Sequence, residues 1–408
     1  MLIKDCVIKR SQDGIWLHHT ASGYKVRMNE EALAVLGSMA SRLSASEMTE
    51  KERSIYDKLS QKGIAAADTG REEDRRLIIK EKSRLELVEL EFSGRCNLRC
   101  SHCFSALSQK DMGAETLEKV FAGIDALDPV NLIINGGEPL LNPLLPEALE
   151  KARARHLRVG IMTNAMLVSG GIAGMLKQYG VAKAVVSLDF FEENHNAIRG
   201  SGAFKKTVSG IKLLISRKVP VFVTAMVREN VFGRLEEFKN FCLGELGVSG
   251  IRFSSIMPIG KAKDSPVAPG LSAARLKELF NKGLISSDHE NEGVLSKLTG
   301  SRNFYCKAGV GECFVSAEGK VYACHYFQNI GETMGDLAVK PLEAIYREYP
   351  ESGAIAVDLD WDKLKKCKAC GHFAKCMGGC RARAKLLSGG WYAPDGYSCD
   401  MYGVPENK

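Results

Sequence analysis

The sequence predicts an α/β protein: a partial parallel (β/α)6 barrel, preceded by a small winged-helix-like module and followed by a cysteine-rich domain. Three observations carry this. Residues 81–260 alternate strand and helix patterns six times, which implies a parallel sheet with right-handed crossovers. Polar signatures follow nearly every predicted strand, the end at which parallel barrels build their sites, so a partial barrel fits better than a flat doubly wound sheet. Finally, the thirteen cysteines are clustered, three within residues 93–104 and eight between Cys306 and Cys399.

Composition bounds the reading. A chain of 408 residues with 45% hydrophobic and 26% charged residues is an ordinary globular protein with room for two or three domains. The net charge of +7 is modest, and no Lys/Arg stripe interleaved with aromatics occurs, which argues against nucleic-acid binding. No apolar run reaches the roughly 18 residues a membrane span needs. The N-terminus MLIKDCVIKRSQDG lacks an apolar signal core. A cytoplasmic protein is therefore expected, in which thiols stay reduced and clustered cysteines bind metal rather than pair as disulfides. Cys6 and Cys242 stand apart and read as buried structural thiols.

Residues 1–80 begin with the short, partly alternating segments GIWLHH and GYKVRM. Two helical runs follow, NEEALAVLGSMASRL and SEMTEKERSIYDKLSQKGI. Ser44 and Ser46 are candidate caps for the second helix and Gly63 a candidate stop. The charged segment REEDRR, residues 71–76, reads as a linker. Barrel strands are predicted at Leu85–Phe92, Asn131–Ile134, Leu157–Met162, Ala182–Leu188, Val219–Met226 and Gly250–Ile256. Runs such as ETLEKVFAGIDAL, GAFKKTVSGIKLLISR and RLEEFKNFCLGEL supply helices between them. Residues 261–299 read as a linker with one helix, SAARLKELFNKG. Residues 300–408 lack long periodic segments and would be held by metal more than by a core.

The chemistry gathers at strand ends. SGRCNLRCSHCF follows the first barrel strand and places Cys96, Cys100 and Cys103 at CxxxCxxC spacing. A thiolate-bound metal centre usually takes four protein ligands, and no fourth cysteine is nearby. NGGEP (Asn135 to Pro139) follows the second strand, where two glycines free the backbone to approach a ligand closely. TNA (Thr163 to Ala165) follows the third strand and SLD (Ser187 to Asp189) ends the fourth. Hydroxyl, amide and carboxylate groups there can bond ribose hydroxyls, although Asn164 and Ser187 could instead cap helices. A zinc site with a distant fourth ligand is the competing account of the three cysteines.

CxxxCxxC after strand one together with GGEP after strand two resembles the radical S-adenosylmethionine (SAM) enzymes, which have a TIM-like partial barrel. The resemblance implies a [4Fe–4S] cluster held at three irons by Cys96, Cys100 and Cys103, with the fourth iron bound by the amino and carboxylate groups of SAM. It further implies that Gly136, Gly137 and Glu138 hold the methionine end of SAM, and that Thr163, Asn164, Ser187, Asp189 and Arg199 make further contacts. His102 stands where the family usually has an aromatic residue near the adenine. A low-potential donor such as flavodoxin or ferredoxin would feed an electron to the sulfonium. Cleavage then yields a 5′-deoxyadenosyl radical that abstracts hydrogen from substrate.

In the C-terminal region the spacing is Cys306-x6-Cys313-x10-Cys324, then Cys367-xx-Cys370-x5-Cys376-xxx-Cys380, then Cys399. Spacing alone fits two zinc sites equally well. The order, with Gly319 five residues before Cys324, resembles the SPASM extension of radical SAM enzymes. That resemblance implies two auxiliary [4Fe–4S] clusters, one on Cys306, Cys313, Cys324 and Cys380 and one on Cys367, Cys370, Cys376 and Cys399. With eight ligands, both would carry electrons rather than hold substrate. In VYACHYF, His325 replaces the acidic base of sulfatase-maturing relatives and is a candidate catalytic base, or a hydrogen bond to a cluster sulfur.

The N-terminal module resembles the peptide-recognition element of ribosomal-peptide maturases, which adds a leader peptide as an extra strand. The expected function is an intramolecular cross-link, thioether favoured, in a ribosomally made precursor peptide. Carbon–carbon cross-linking, epimerisation and formylglycine maturation of a protein are the enzymatic alternatives. A non-catalytic iron–sulfur or zinc scaffold is the alternative outside enzymes.

Overall fold

The computed structural model describes residues 2–3, 6–11, 14–19, 25–41, 48–61, 65–66, 78–80, 82–105, 107–265, 270–285, 306–349 and 359–404. In the N-terminal module, β1 (Leu2–Ile3) pairs antiparallel with β5 (Ala65–Ala66). A separate four-stranded sheet runs β4 (Lys25–Met28), β3 (Gly14–His19), β2 (Cys6–Ser11), β6 (Ile78–Lys80). Helices Glu30–Ser41 and Glu50–Gln61 complete it. Asn29 caps the first helix through the Ala32 N–H at 2.8 Å. The second starts on a capping box: the Thr49 N–H donates to Glu52 Oε2 at 2.8 Å and the Glu52 N–H to Thr49 Oγ1 at 3.3 Å. Thr49 thus fills the cap position expected of Ser44 or Ser46; those serines, Gly63 and the REEDRR segment lie outside the described residues.

Strand β2 is buried on both faces. Cys6 and Ile8 join the module's own core with Leu17, Leu33 and Leu36. The opposite face docks on the barrel, where Lys9 Nζ donates to Asp128 O at 2.7 Å and Lys80 Nζ to Asp128 Oδ1 at 2.8 Å. Lys25 Nζ reaches Glu86 Oε1 at 2.6 Å and Lys307 reaches Glu86 Oε2 at 3.4 Å. Burial alone would raise the Glu86 carboxyl, but the flanking Lys307 and Lys25 cations bring it down to about 2. The module is held by matched, half-buried charges rather than by a loose tether.

The barrel strands are β7 (Leu87–Ser93), β8 (Asn131–Gly136), β9 (Arg158–Thr163), β10 (Lys183–Ser187), β11 (Val221–Val227) and β12 (Gly250–Ser255), all parallel and in sequential order. Each lies within two residues of its predicted position. Alternation sets the layers: Val88, Leu90 and Phe92 are fully buried towards the helices, and Leu87, Glu89 and Glu91 point to the concave face. Helix Ala114–Leu127 covers the outer face with Leu117, Val120, Phe121 and Ile124, and ends at Asp128 in the left-handed region. The run containing Cys242 is α-helical over Leu235–Asn240 and widens to a π turn over Phe241–Glu245. Cys242 is fully buried in the core and Cys6 nearly so. Among the described residues no helix is long and apolar enough to cross a membrane.

The cysteine-rich region is not a separate body. Its β13 (Glu312–Val315) pairs parallel with β7, and β14 (Lys320–Tyr322) and β15 (Gly335–Asp336) follow antiparallel, extending the barrel sheet to nine strands. The outer edge of β7, unpaired in a six-stranded partial barrel, is what this hairpin satisfies.

Candidate active site

The loop carrying Cys96, Cys100 and Cys103 is moulded onto the NGGEP turn. Gly136 has φ +133°, and a Cβ there would collide with the Ser93 carbonyl. A Cβ on Gly137 would strike the Arg95 carbonyl and come within 2.9 Å of Cys96 Cβ. The N–H groups of Gly137 and Glu138 donate to Ser93 O at 2.7 Å and Arg95 O at 2.9 Å. These two N–H groups fasten the cysteine loop, and the glycines permit that approach. On the loop's other side, the Lys261 N–H donates to Cys103 O at 2.9 Å.

Glu138 is fully buried, so its carboxyl rises above the usual range, although it accepts from Thr163 Oγ1 at 2.7 Å, Asn164 N at 2.8 Å and Leu140 N at 3.2 Å. Asn164 Nδ2 in turn donates to Asn97 Oδ1 at 2.8 Å, within the cysteine loop. Glu138, Thr163 and Asn164 are thus one network joining the ends of two strands to that loop. Asn97 was not singled out from the sequence, though it lies inside the CxxxCxxC spacing.

A second network stands beside Cys100. Asp189, 1% exposed, accepts from Arg199 Nε at 2.7 Å and from the Met226 N–H at 2.9 Å. Burial would raise its carboxyl, yet the Arg199 cation wins and holds it at about 2. Arg199 Nη1 also lies 3.8 Å from Cys100 Sγ, and Nη2 3.4 Å from His102 Nε2. Burial lowers His102 to about 4, so it is neutral near pH 7. Guanidinium only donates, so His102 Nε2 accepts and Nδ1 carries the proton. The Asp189 N–H donates to His195 Nδ1 at 3.0 Å. Ser187 sits at the C-terminal end of β10, half-buried, opposite Thr224.

His325 starts the helix after Cys324 and meets the barrel from the far side. Its Nδ1 is 3.4 Å from Glu89 Oε2, and its ring packs edge-on to Phe104, the residue after Cys103, at 5.8 Å. Glu89 also takes a hydrogen bond from Asn135 Nδ2. Glu89 could have been read from the apolar–acidic alternation of LELVELEFS, which marks a strand with one polar face.

The two auxiliary cysteine sets differ. Cys367, Cys370, Cys376 and Cys399 all line one cavity of about 520 Å³. Cys306, Cys324 and Cys380 pack together around Phe314 and Tyr322. Cys313 does not join them. It pairs in register with Val88, shares that residue's helix-facing core and is 1% exposed, with burial pushing its thiol up to about 12. Alternation along β13 puts Phe314, and with it the Cys306–Cys324–Cys380 group, on the opposite face. Of the four cysteines expected at this site, the structure brings Cys306, Cys324 and Cys380 together and places Cys313 on the other face of β13.

The residues present suit iron–sulfur clusters and SAM. Cys367, Cys370, Cys376 and Cys399 share a cavity with room for a group larger than a single ion. Ser101 Oγ, His102 Nδ1 and His195 Nε2 are buried without a partner among the described residues, beside the catalytic-loop cysteines and Asp189. They are the hydrogen-bonding atoms that a polar ligand there would meet.

The family description "Radical SAM superfamily" matches residues 90–242, and the SPASM "iron-sulfur cluster-binding domain" matches residues 306–371, together just over half of the chain. An AdoMet-dependent heme synthase of Methanosarcina barkeri is 29% identical over 345 residues, covering 76% of this chain and 95% of that protein. The mycofactocin maturase MftC of Mycobacterium ulcerans is 28% identical over 348 residues, covering 77% and 88%. In fold, SuiB of Streptococcus suis, solved with its precursor peptide SuiA, matches with a TM-score of 0.68 at 16% identity, over 98% of this chain and 99% of that one. The structure of anSMEcpe with bound AdoMet matches with a TM-score of 0.61 at 21% identity, over 78% and 95%. The chain therefore belongs to the radical SAM superfamily with a SPASM extension, an enzyme whose cofactors are SAM and more than one [4Fe–4S] cluster.

Proposed function

We propose that this enzyme installs an intramolecular cross-link, a thioether before a carbon–carbon bond, in a ribosomally made precursor peptide. One observation carries the peptide reading: the likeness to SuiB runs through the N-terminal module, at 98% of the chain, whereas the likeness to anSMEcpe stops at 78%. SuiB binds a precursor peptide and MftC is a maturase, which supports a peptide substrate. Among the described residues β4 and β6 are the two edges of the module's sheet, and an edge of this kind can take a leader peptide as an added strand.

In this reading Cys96, Cys100 and Cys103 hold the catalytic cluster, and the Glu138–Thr163–Asn164–Asn97 network keeps their loop rigid beside SAM. Arg199, fixed by Asp189, sets a positive charge next to Cys100 and fixes the His102 tautomer, so that its Nδ1–H faces whatever binds there. When bound, cluster and SAM supply one-electron cleavage of the sulfonium and hence hydrogen-atom abstraction. A cross-link removes two hydrogens from the peptide, the second as a proton and an electron. His325, oriented by Glu89, can accept the proton. The Cys367–Cys370–Cys376–Cys399 site can accept the electron. The other auxiliary site draws on Cys306, Cys324 and Cys380, which pack together, whereas Cys313 stands on the helix-facing side of β13. A ferredoxin or flavodoxin-like donor and a cytoplasmic setting accompany this proposal.

Haem-type tetrapyrrole chemistry is the second reading, favoured by the 29% identity to a heme synthase. Reconstituted enzyme, reductant and SAM, incubated with short peptides encoded beside this reading frame, should give a product lighter by two hydrogens. An unchanged peptide mass together with turnover of an iron porphyrin would replace the peptide reading by the second one.

A further inference from the structure

We infer that Arg381 tunes the Cys367–Cys370–Cys376–Cys399 site: its buried, unneutralised guanidinium takes the iron–sulfur group there as its counter-charge and favours the reduced form. This rests on the reading of those four cysteines as a cluster site.

Arg381 opens helix Arg381–Ser388 directly after Cys380 and is only 4% exposed. Its Nε donates to Gly379 O at 3.4 Å, and its Nη1 donates to Trp391 O at 3.0 Å and Ala393 O at 2.8 Å. Nη2 is buried and has no hydrogen-bond partner among the described residues. That end of the guanidinium stands against Gly378, where a Cβ would lie 3.3 Å from Arg381 Nη2 and 3.5 Å from Leu364 Cδ1. Gly378 in turn lines the cavity shared by the four cysteines, and its N–H points at the Cys376 sulfur. Leu364 packs with Cys367 in one small apolar cluster. A single layer of residues thus separates the unpartnered end of Arg381 from the cysteine cavity.

The charge on this group is uncompensated within the described residues, because every acceptor it has is a neutral carbonyl. Two positions along the same helix, Arg383 is as deeply buried but has a carboxylate, Asp395 Oδ2, at 2.7 Å from its Nη2. Asp395 is engaged there, also accepting from Ser398 Oγ at 2.8 Å and from the Cys380 N–H at 2.8 Å. Keeping a guanidinium out of water is costly unless an opposite charge offsets it. A buried donor left unused calls for the same explanation. The adjoining cavity supplies one: four thiolates around an iron–sulfur core carry net negative charge. Reduction adds a further negative charge, so a cation fixed nearby stabilises the reduced form more than the oxidised one. At such burial salt screens the attraction little. The electron concerned is the one the peptide gives up when its second hydrogen leaves as a proton and the cross-link closes.

Reconstituted full-length enzyme is titrated with dithionite and mediators and followed by electron paramagnetic resonance. The component missing from Cys399→Ala identifies this site. Arg381→Gln should lower the equilibrium constant for reducing that component at least tenfold, about 59 mV for one electron. Arg381→Met, whose stem fills the same space, should do likewise. Arg381→Lys keeps the charge but gives up the carbonyl clamp, and should stay within about threefold of the parent. An unchanged potential in both neutral variants overturns the inference. So does an equal fall in Arg381→Lys, because a clamp rather than a charge would then set the potential. Loss of this site's iron in both neutral variants, restored by Arg381→Lys, supports the counter-charge role; loss in Arg381→Lys as well overturns it. A fall confined to a component that survives in Cys399→Ala also overturns it, by moving the effect to the other auxiliary site. If Cys399→Ala keeps all its iron and every signal, the cluster reading of these four cysteines fails, whatever Arg381 does.

Discussion

The two auxiliary cysteine groups face the same task with different backbones. Cys367 and Cys376 lie on short helical turns, Lys365–Lys368 and Phe373–Cys376, Cys370 lies on the bend between them, and Cys399 on helix Gly396–Tyr402. In such turns, close spacing brings side chains round to one point, and all four line one cavity. Cys313 lies on strand β13, where alternation decides the face and a position shifted by one residue points the other way, whereas Cys324 follows β14 and stands at the start of helix His325–Ile330. Cys324 faces Cys306 and Cys380, and Cys313 faces the helix layer with Val88. Close spacing in consecutive turns thus brings thiols to one cavity, whereas alternation in a strand can turn one away from the others.

The largest expected contrast tests the helical group. Cys399→Ala should remove about four irons per chain, counted by iron analysis of reconstituted protein. Retention of all iron would mean that the shared cavity is not a cluster site. A smaller effect is expected at the salt bridge that docks the N-terminal module beside the hairpin. Glu86 is held at about 2 in the fold against an ordinary value of 4.5, so its contribution is present above about pH 4.5 and fades as pH falls towards 2. Glu86→Gln should therefore cost up to about 3 kcal/mol near neutrality and progressively less in acid, measured by urea unfolding. An equal deficit at both ends of that range would contradict the charge-based docking. The smallest metal effect belongs to Cys313→Ala: unchanged iron content and unchanged electron paramagnetic resonance of the reduced clusters, with a stability loss of about 1 kcal/mol from a modest core truncation. Loss of a cluster in that variant would return Cys313 to the ligand set and erase the contrast.

Much of the architecture was legible because the physics is local. Six apolar runs with helical segments between them specify parallel strands, and each formed within two residues of its predicted place. Thr49 caps its helix by short-range hydrogen bonds that a Thr-x-x-Glu pattern announces, yet the nearby serines drew the prediction away from it. The residues CxxxCxxC, GGEP, TNA and SLD mark strand ends because Gly, Asn, Thr and Asp interrupt apolar periodicity there.

What the sequence by itself determined is the chemistry: which strand ends carry thiolates, which carry amides, and that the thiols gather in two regions. Only the tertiary structure decided which of those groups meet. It placed the hairpin against the open edge of β7, which brings His325 to Glu89 and Phe104 across more than 200 residues of chain. It also engaged the glycine N–H groups with the cysteine loop, joined Glu138 to Thr163 and Asn164, and turned Cys313 into the core. The physical reason is common to all four. Residue type and spacing fix what a group can bond to, but side-chain direction and long-range pairing depend on which face of each strand the whole fold buries.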